Sequence, residues 1–245
     1  VGALTAAQVG GLTATNLSAL LEGHGADSLT STQVGGLTTN QLKGLSSTDF
    51  GDLGSTQIDE LSSAQLGSIS TTNLNALTST ELQALDATQV KGLTTSQVAG
   101  LNSTAVGELT TTQIGALSAA QVGALSATNF SGLASTQAAV LTSAQLAGVT
   151  KTQLSALTST ALGHLDDTQI DALNGSQLGA LSSTNLNALD KTALQGLTTS
   201  QVKGLTTTQL GALSSTALGD LGTTQVAGLS TSQLNALGST AVGQL

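Results

Sequence analysis

The sequence predicts an all-α fold: a solenoid, or superhelix, of about 30 very short capped helices with about three and a half octads (28 residues) per turn. Three observations predict it. An eight-residue repeat runs from Leu29 to Leu245 without a register slip; each repeat carries the signals that start a helix; and a 56-residue period overlies the first.

The stretch Leu205–Leu229, LTTTQLGA-LSSTALGD-LGTTQVAG-L, shows the unit, numbered one to eight from its opening leucine. Of the 27 consecutive octads, 25 have Leu at position one, Ile69 and Val149 being the substitutes. Position six is Leu, Val, Ile or Phe in all but one, where it is Ala138. Position two is Ser, Thr, Asp or Asn in 23 octads, position five is Gln in 17, and position eight is Ala or Gly in 19.

These preferences describe a capped helix. A Ser, Thr, Asp or Asn oxygen at the N-cap accepts from an otherwise orphaned backbone N–H. A Gln three residues on reaches back to the cap's own N–H, and an apolar residue before the cap staples onto the fourth helical position. Leu205, Thr206, Gln209 and Leu210 meet these conditions, as do Leu109, Thr110, Gln113 and Ile114. The helical part is then only about six residues, under two turns. Isolated helices below about 12 residues are marginal in water. Each unit must therefore pack on its neighbours, which is the logic of a solenoid. A small residue at position eight lets neighbouring helices approach.

The alternative is a β-solenoid, since Thr suits strands. Against it, positions one and six are an odd number of residues apart, which puts them on opposite faces of a straight strand.

The longer period follows from the octads that lack Gln at position five. There are ten of them: octads 7, 21 and 27 carry Glu81, Ala193 and Ala241 there, octads 6, 13 and 20 carry Asn73, Asn129 and Asn185, and octads 3, 10, 17 and 24 carry Asp49, Ala105, Ala161 and Ala217, the last two sets interleaving. Steps of three and four octads alternate, averaging three and a half, so the atypical units fall on one stripe of a superhelix. Position eight of octads 3, 10, 17 and 24 is Asp52, Glu108, His164 and Asp220, one ionisable group every 56 residues. These four are the candidate seam, either solvated or a lateral contact between chains.

The whole chain, 1–245, reads as a single repeat domain with an irregular unit at 20–28. That unit, LLEGHGADS, has one residue too many and no cap box. Glu22, His24 and Asp27 within it are a weak ligand set without fixed geometry, and a surface bulge is the better reading. Ala134 and Ala138 make Leu133–Val140 the other irregular octad, with Val140 placed to refill the missing volume; Phe50 and Phe130 read as core. Asp166, Asp167 and Asp171 cluster without calcium-loop spacing, Asp166 being a cap.

Composition narrows the function classes. There is no Cys, hence no disulfide or thiolate metal site. Five Lys or Arg against 14 Asp or Glu, net charge −9, argue against nucleic-acid binding. No apolar run approaches the roughly 18 residues of a membrane span. Two histidines 140 residues apart cannot serve an array of hydroxyl nucleophiles, and no phosphate or dinucleotide motif occurs, so neither an enzyme nor a cofactor is expected.

The segments LTTTQIGAL (109–117), LSAAQVGAL (117–125) and LTTSQVAGL (93–101) resemble the L-[ST]-x-x-Q-[VIL]-x-[AG] octapeptide arrays of very large secreted bacterial surface proteins, some of them adhesin-like. The resemblance covers essentially the whole chain. It implies an extracellular or cell-surface structural segment: a spacer, stalk or filament-forming piece. The alternative is a hydroxyl-rich module that binds ice or polysaccharide. The partners to expect are further copies, side by side or end to end, or a surface polysaccharide.

Overall fold

A computed structural model describes residues 2–22, 29–238 and 243. Among the described residues there are 28 helices, from Ala6–Gly10 to Thr231–Ala236, and no strand. The helical reading therefore holds and the β-coil does not.

The octad explains each helix locally. In the octad of Leu109, Thr110 is extended (φ −69°, ψ 162°) and its hydroxyl accepts from the Gln113 N–H. The helix Thr111–Ala116 follows, and Leu117, extended again (φ −58°, ψ 140°), ends it. Position one is thus the joint of the chain. Its extended backbone breaks the helical ladder, and the next cap restarts it. Most helices run four to six residues, as in Ser63–Leu66 and Thr111–Ala116.

The chain divides into two compact units, 1–125 and 126–245. Each is built the same way. In the first, the helix Ser63–Leu66 packs on Ala87–Gly92, and Thr95–Gly100 packs on Ala119–Ala124. In the second, Gly175–Leu178 packs on Thr199–Gly204, and Thr207–Gly211 on Thr231–Ala236. Helices three places apart along the chain are neighbours in space. Positions one and six supply the core: Leu42, Leu66, Val98, Ile114, Leu146 and Leu178 are fully buried. Phe50 and Phe130 are core residues, as expected.

Position eight is small because backbones meet there. No described glycine lies in the left-handed region, so conformational freedom is not the reason. At Gly36 an added Cβ would come within 2.7 Å of the Ala6 carbonyl oxygen, and at Gly204 it would strike the Gly175 backbone.

Two sequence readings need amendment. Val140 is only half-buried and does not refill the volume lost at Ala138. An apolar cavity of about 10 Å³ remains there, lined by residues that include Phe130, Ala138, Leu141 and Leu165. The other concerns Glu22, His24 and Asp27: His24 and Asp27 lie outside the described residues, and Glu22 follows directly on the helix Ala14–Leu21.

Candidate functional site

The chemistry of this fold is concentrated in the position-five amide, and the sequence foretells only half of its role. Gln113 is 1% exposed. Its Oε1 accepts from the Thr110 N–H at 2.8 Å, the bond back to the cap that the octad predicts. Its Nε2 then donates to the carbonyls of Leu82 and Leu85 at 2.6 and 2.7 Å, 31 and 28 residues back. These carbonyls end the helix Ser79–Ala84, one coil earlier. One side chain therefore caps the start of its own helix and the end of another.

The arrangement repeats in both units. Gln97 bonds Leu66 and Ile69; Gln177 bonds Leu146 and Val149; Gln209 bonds Leu178 and Leu181; Gln233 bonds Val202 and Leu205. Separations of 28 and 31 recur each time, so adjacent coils are 28 residues apart and a turn takes three and a half octads. Buried polar groups need partners, and a primary amide has two donors and an acceptor to offer. A hydrocarbon side chain such as Leu at this position would leave two carbonyls and one N–H unserved.

The irregular unit leaves a measurable mark on this ladder. Gln41, whose bonds reach back across 20–28, donates to Val9 and Leu12, 32 and 29 residues away. Both separations are longer by one. The extra residue lengthens one turn and the ladder keeps its geometry.

The atypical octads now have a physical account. Asn73 and Asn185 do not close the cap box but still donate to Leu45 and Leu157, 28 residues back. Ala105, Ala161 and Ala217 offer no amide at all, so the cap N–H of their octads needs another acceptor. It comes from position seven of the Asn-bearing octads: Asn75 Oδ1 accepts from the Asn102 N–H (2.8 Å), Ser131 Oγ from Thr158 (3.2 Å) and Asn187 Oδ1 from Ser214 (2.7 Å). Asn75 and Asn187 also donate to the carbonyls of Gly100 and Ala212, just ahead of those caps. The 56-residue period is thus a substitution of one acceptor for another. Octads 6, 13 and 20 serve octads 10, 17 and 24.

Like Glu81, Asp49 is an acidic member of this class. It is buried and keeps the box, accepting from the Ser46 N–H and Ser46 hydroxyl. In place of donating to the previous coil it accepts from Ser18 Oγ at 2.9 Å. Burial alone would raise its pKa, but the three hydrogen bonds from Ser46 and Ser18 outweigh that and hold it below 3.8.

The candidate seam residues Asp52, Glu108, His164 and Asp220 are all half-buried. The 28-residue register sets Asp52 and Glu108 two coils apart in the first unit, and His164 and Asp220 two coils apart in the second. Gln83 Nε2 lies 3.3 Å from the Glu108 carbonyl and 3.4 Å from its carboxylate. His164 Nδ1 lies 3.2 Å from the Leu133 carbonyl.

Asp166 is the cap it was expected to be, accepting from the Gln169 N–H. Asp171 packs over Gly196, and partial burial followed by the charge of Asp167 raises its pKa. An open cleft of about 190 Å³ lies where two Ala-bearing octads meet, bordered by Ser159, Asp167, Asp190 and Ala193. The Asp190 carboxylate there is engaged as the cap of its own helix, accepting from the Ala193 N–H. Among the described residues no group of three or more His, Cys, Asp or Glu comes together as a metal site, and no helix is long and apolar enough to cross a membrane.

No family model matches the chain, and no curated protein matches it. Among solved structures, the leucine-rich repeat-containing protein LegL7 from Legionella pneumophila is similar over 89% of this chain and 88% of its own, at 12% identity and a TM-score of 0.22. At that score the likeness carries no argument about this chain, whose fold stands on its own geometry as a tandem-repeat helical solenoid.

Proposed function

We propose that this solenoid is a structural spacer, a repeat segment of a secreted or cell-surface bacterial protein, and that it carries no catalysis. The observation behind this reading is the amide ladder. The most regular polar side chains in the molecule are the position-five glutamines, most of which are buried and engaged in joining coil to coil. They serve the mechanical continuity of the array. The resemblance of the octads to surface-protein arrays supports the location.

The rival reading, a hydroxyl surface for ice or polysaccharide, fits the bonding less well. The cap hydroxyls are the most periodic ones, and they are engaged internally. Thr206 Oγ1 accepts from the Gln209 N–H and sits 3.1 Å from Gln209 Oε1. A coil of three and a half octads also turns successive Thr positions to different sides.

Two measurements test the proposal. Thermal-hysteresis and glycan-binding assays should both be blank, and clear activity in either overturns the structural reading. Deleting residues 62–117, one full 56-residue period within the first unit, should leave a folded protein that still melts cooperatively, because it removes two whole turns and keeps the 28-residue register.

A further inference from the structure

The amide ladder has a gap inside the second unit. In a regular octad one carboxamide serves three backbone groups. Gln209 accepts from its own cap N–H, that of Thr206, and donates to the carbonyls of Leu178 and Leu181, 31 and 28 residues back. In octad 21, Leu189–Gly196, the same register assigns the Asp190 N–H and the carbonyls of Leu162 and Leu165. Position five there is Ala193, which has no amide. The relay that serves the cap N–H in octads 10, 17 and 24 starts from a position-seven side chain 27 residues back. For octad 21 that residue is Gly163, which has no side chain.

Among the described residues, nothing accepts from the Asp190 N–H and nothing donates to the Leu165 carbonyl. The Leu162 carbonyl accepts from the Leu165 N–H alone and keeps a second lone pair. The space matches these groups. The open cleft of about 190 Å³ is bordered by the same residues, Leu162, Gly163, Leu165, Asp190 and Ala193, with Asp167 at its edge. Leu162 and Ala193 are buried, so the cleft reaches down to the level of the ladder. Leu165 is half-buried, although Leu157 and Leu173, at position one of the flanking octads, are buried.

We propose that this cleft is a binding site for a primary carboxamide supplied from outside the chain. The ligand oxygen accepts from the Asp190 N–H, and its NH₂ group donates to the carbonyls of Leu165 and Leu162. It takes the place that a glutamine head group holds in the regular octads. A primary amide has two donors and an acceptor on one small group, which is what these three backbone groups require. A carboxylate has no donor and would meet the charges of Asp167 and Asp190. An ammonium has no acceptor for the Asp190 N–H. The site concerns one octad and does not rest on the spacer reading.

Acetamide carries the atoms by which Gln exceeds Ala, and it is the probe. The intact chain is labelled with ¹⁵N-aspartate, and the Asp190 N–H resonance is identified by its absence in Asp190→Asn. Acetamide should shift that resonance saturably, with a dissociation constant of roughly 1–50 mM, the range that two or three net hydrogen bonds give. N,N-Dimethylacetamide, acetate and methylammonium should each bind about tenfold more weakly or worse. Ala193→Gln supplies the carboxamide from within the chain; it should abolish the response and raise the melting temperature. Gly163→Asn provides the position-seven relay that Asn75 and Asn187 provide elsewhere, and should abolish the response as well. A Cβ at Gly163 makes only ordinary contacts, so this second variant should fold. An Asp190 resonance that ignores acetamide overturns the proposal, as does a response that both variants retain. Dimethylacetamide or acetate binding as tightly as acetamide overturns it too. Methylammonium binding that tightly does the same and assigns the cleft to a cation.

Discussion

Gln113 condenses the residue-scale argument. It makes three hydrogen bonds while 1% exposed, one within its octad and two to the coil before. Gln113→Glu keeps the size and the box acceptor but turns a carboxylate toward two carbonyl oxygens. A buried group left facing like-signed partners is costly, so a loss of about 2–4 kcal/mol in urea denaturation at pH 7 is expected. The loss should shrink near pH 4, where the acid is protonated and can donate once. Asp49 predicts the opposite pH behaviour. Its folded pKa lies below 3.8, so its contribution to stability is fully present above the unfolded value and is lost as pH falls through the folded one. Set against Asp49→Asn, the wild type should lose its acid-side advantage only below about pH 4. An advantage that does not decline as the pH falls through the acid range contradicts the bonding described.

At the scale of the helix, the octad was largely legible. Leu, then a cap, then Gln and an aliphatic at fixed offsets gave the helix, its start and its buried face from sequence alone, because those interactions are local. The partner of the glutamine Nε2 was not legible, since it lies 28 and 31 residues away and no local rule points to it. The seven-octad period was legible as a pattern but not as a cause. Its cause, the relay from Asn75 to the Asn102 N–H, is a contact across 27 residues. That relay can be tested by a double-mutant cycle. Asn75→Ala should cost about 0.5–1.5 kcal/mol by orphaning the Asn102 N–H. Ala105→Gln, which restores the usual box in that octad, should recover most of this in the double variant, giving a coupling well above the additive expectation. Additive effects would mean the 56-residue period has some other origin.

For the whole molecule, packing between helices three places apart makes each coil depend on the next. Leu117 is 4% exposed, and Leu117→Asp places an unpaired charge in the core of the first unit. Nearest-neighbour coupling predicts that hydrogen exchange accelerates in the flanking octads together and not in the mutated octad alone. What the sequence conveyed at this scale was the number of octads per turn, through the alternating steps of three and four. It did not convey that the register would survive the extra residue in 20–28, where the ladder separations lengthen to 29 and 32. A slip in the ladder would orphan every amide beyond it, which costs far more than lengthening one turn by a residue.

The central claim is that 28 residues make one turn, and distances between spin labels test it most directly. The chain has no cysteine, so pairs can be introduced cleanly. Thr48, Ser96, Thr104 and Thr112 are exposed and lie in one unit. Pairs from Thr48 then span 48, 56 and 64 residues. A 28-residue turn puts Thr48 and Thr104 on the same side, two coils apart at roughly 16–20 Å, and swings the other two to different azimuths. The Thr48–Thr104 distance must be the shortest of the three; if either of the other pairs is shorter, the turn is not 28 residues and the amide ladder is not the element that holds the coils together.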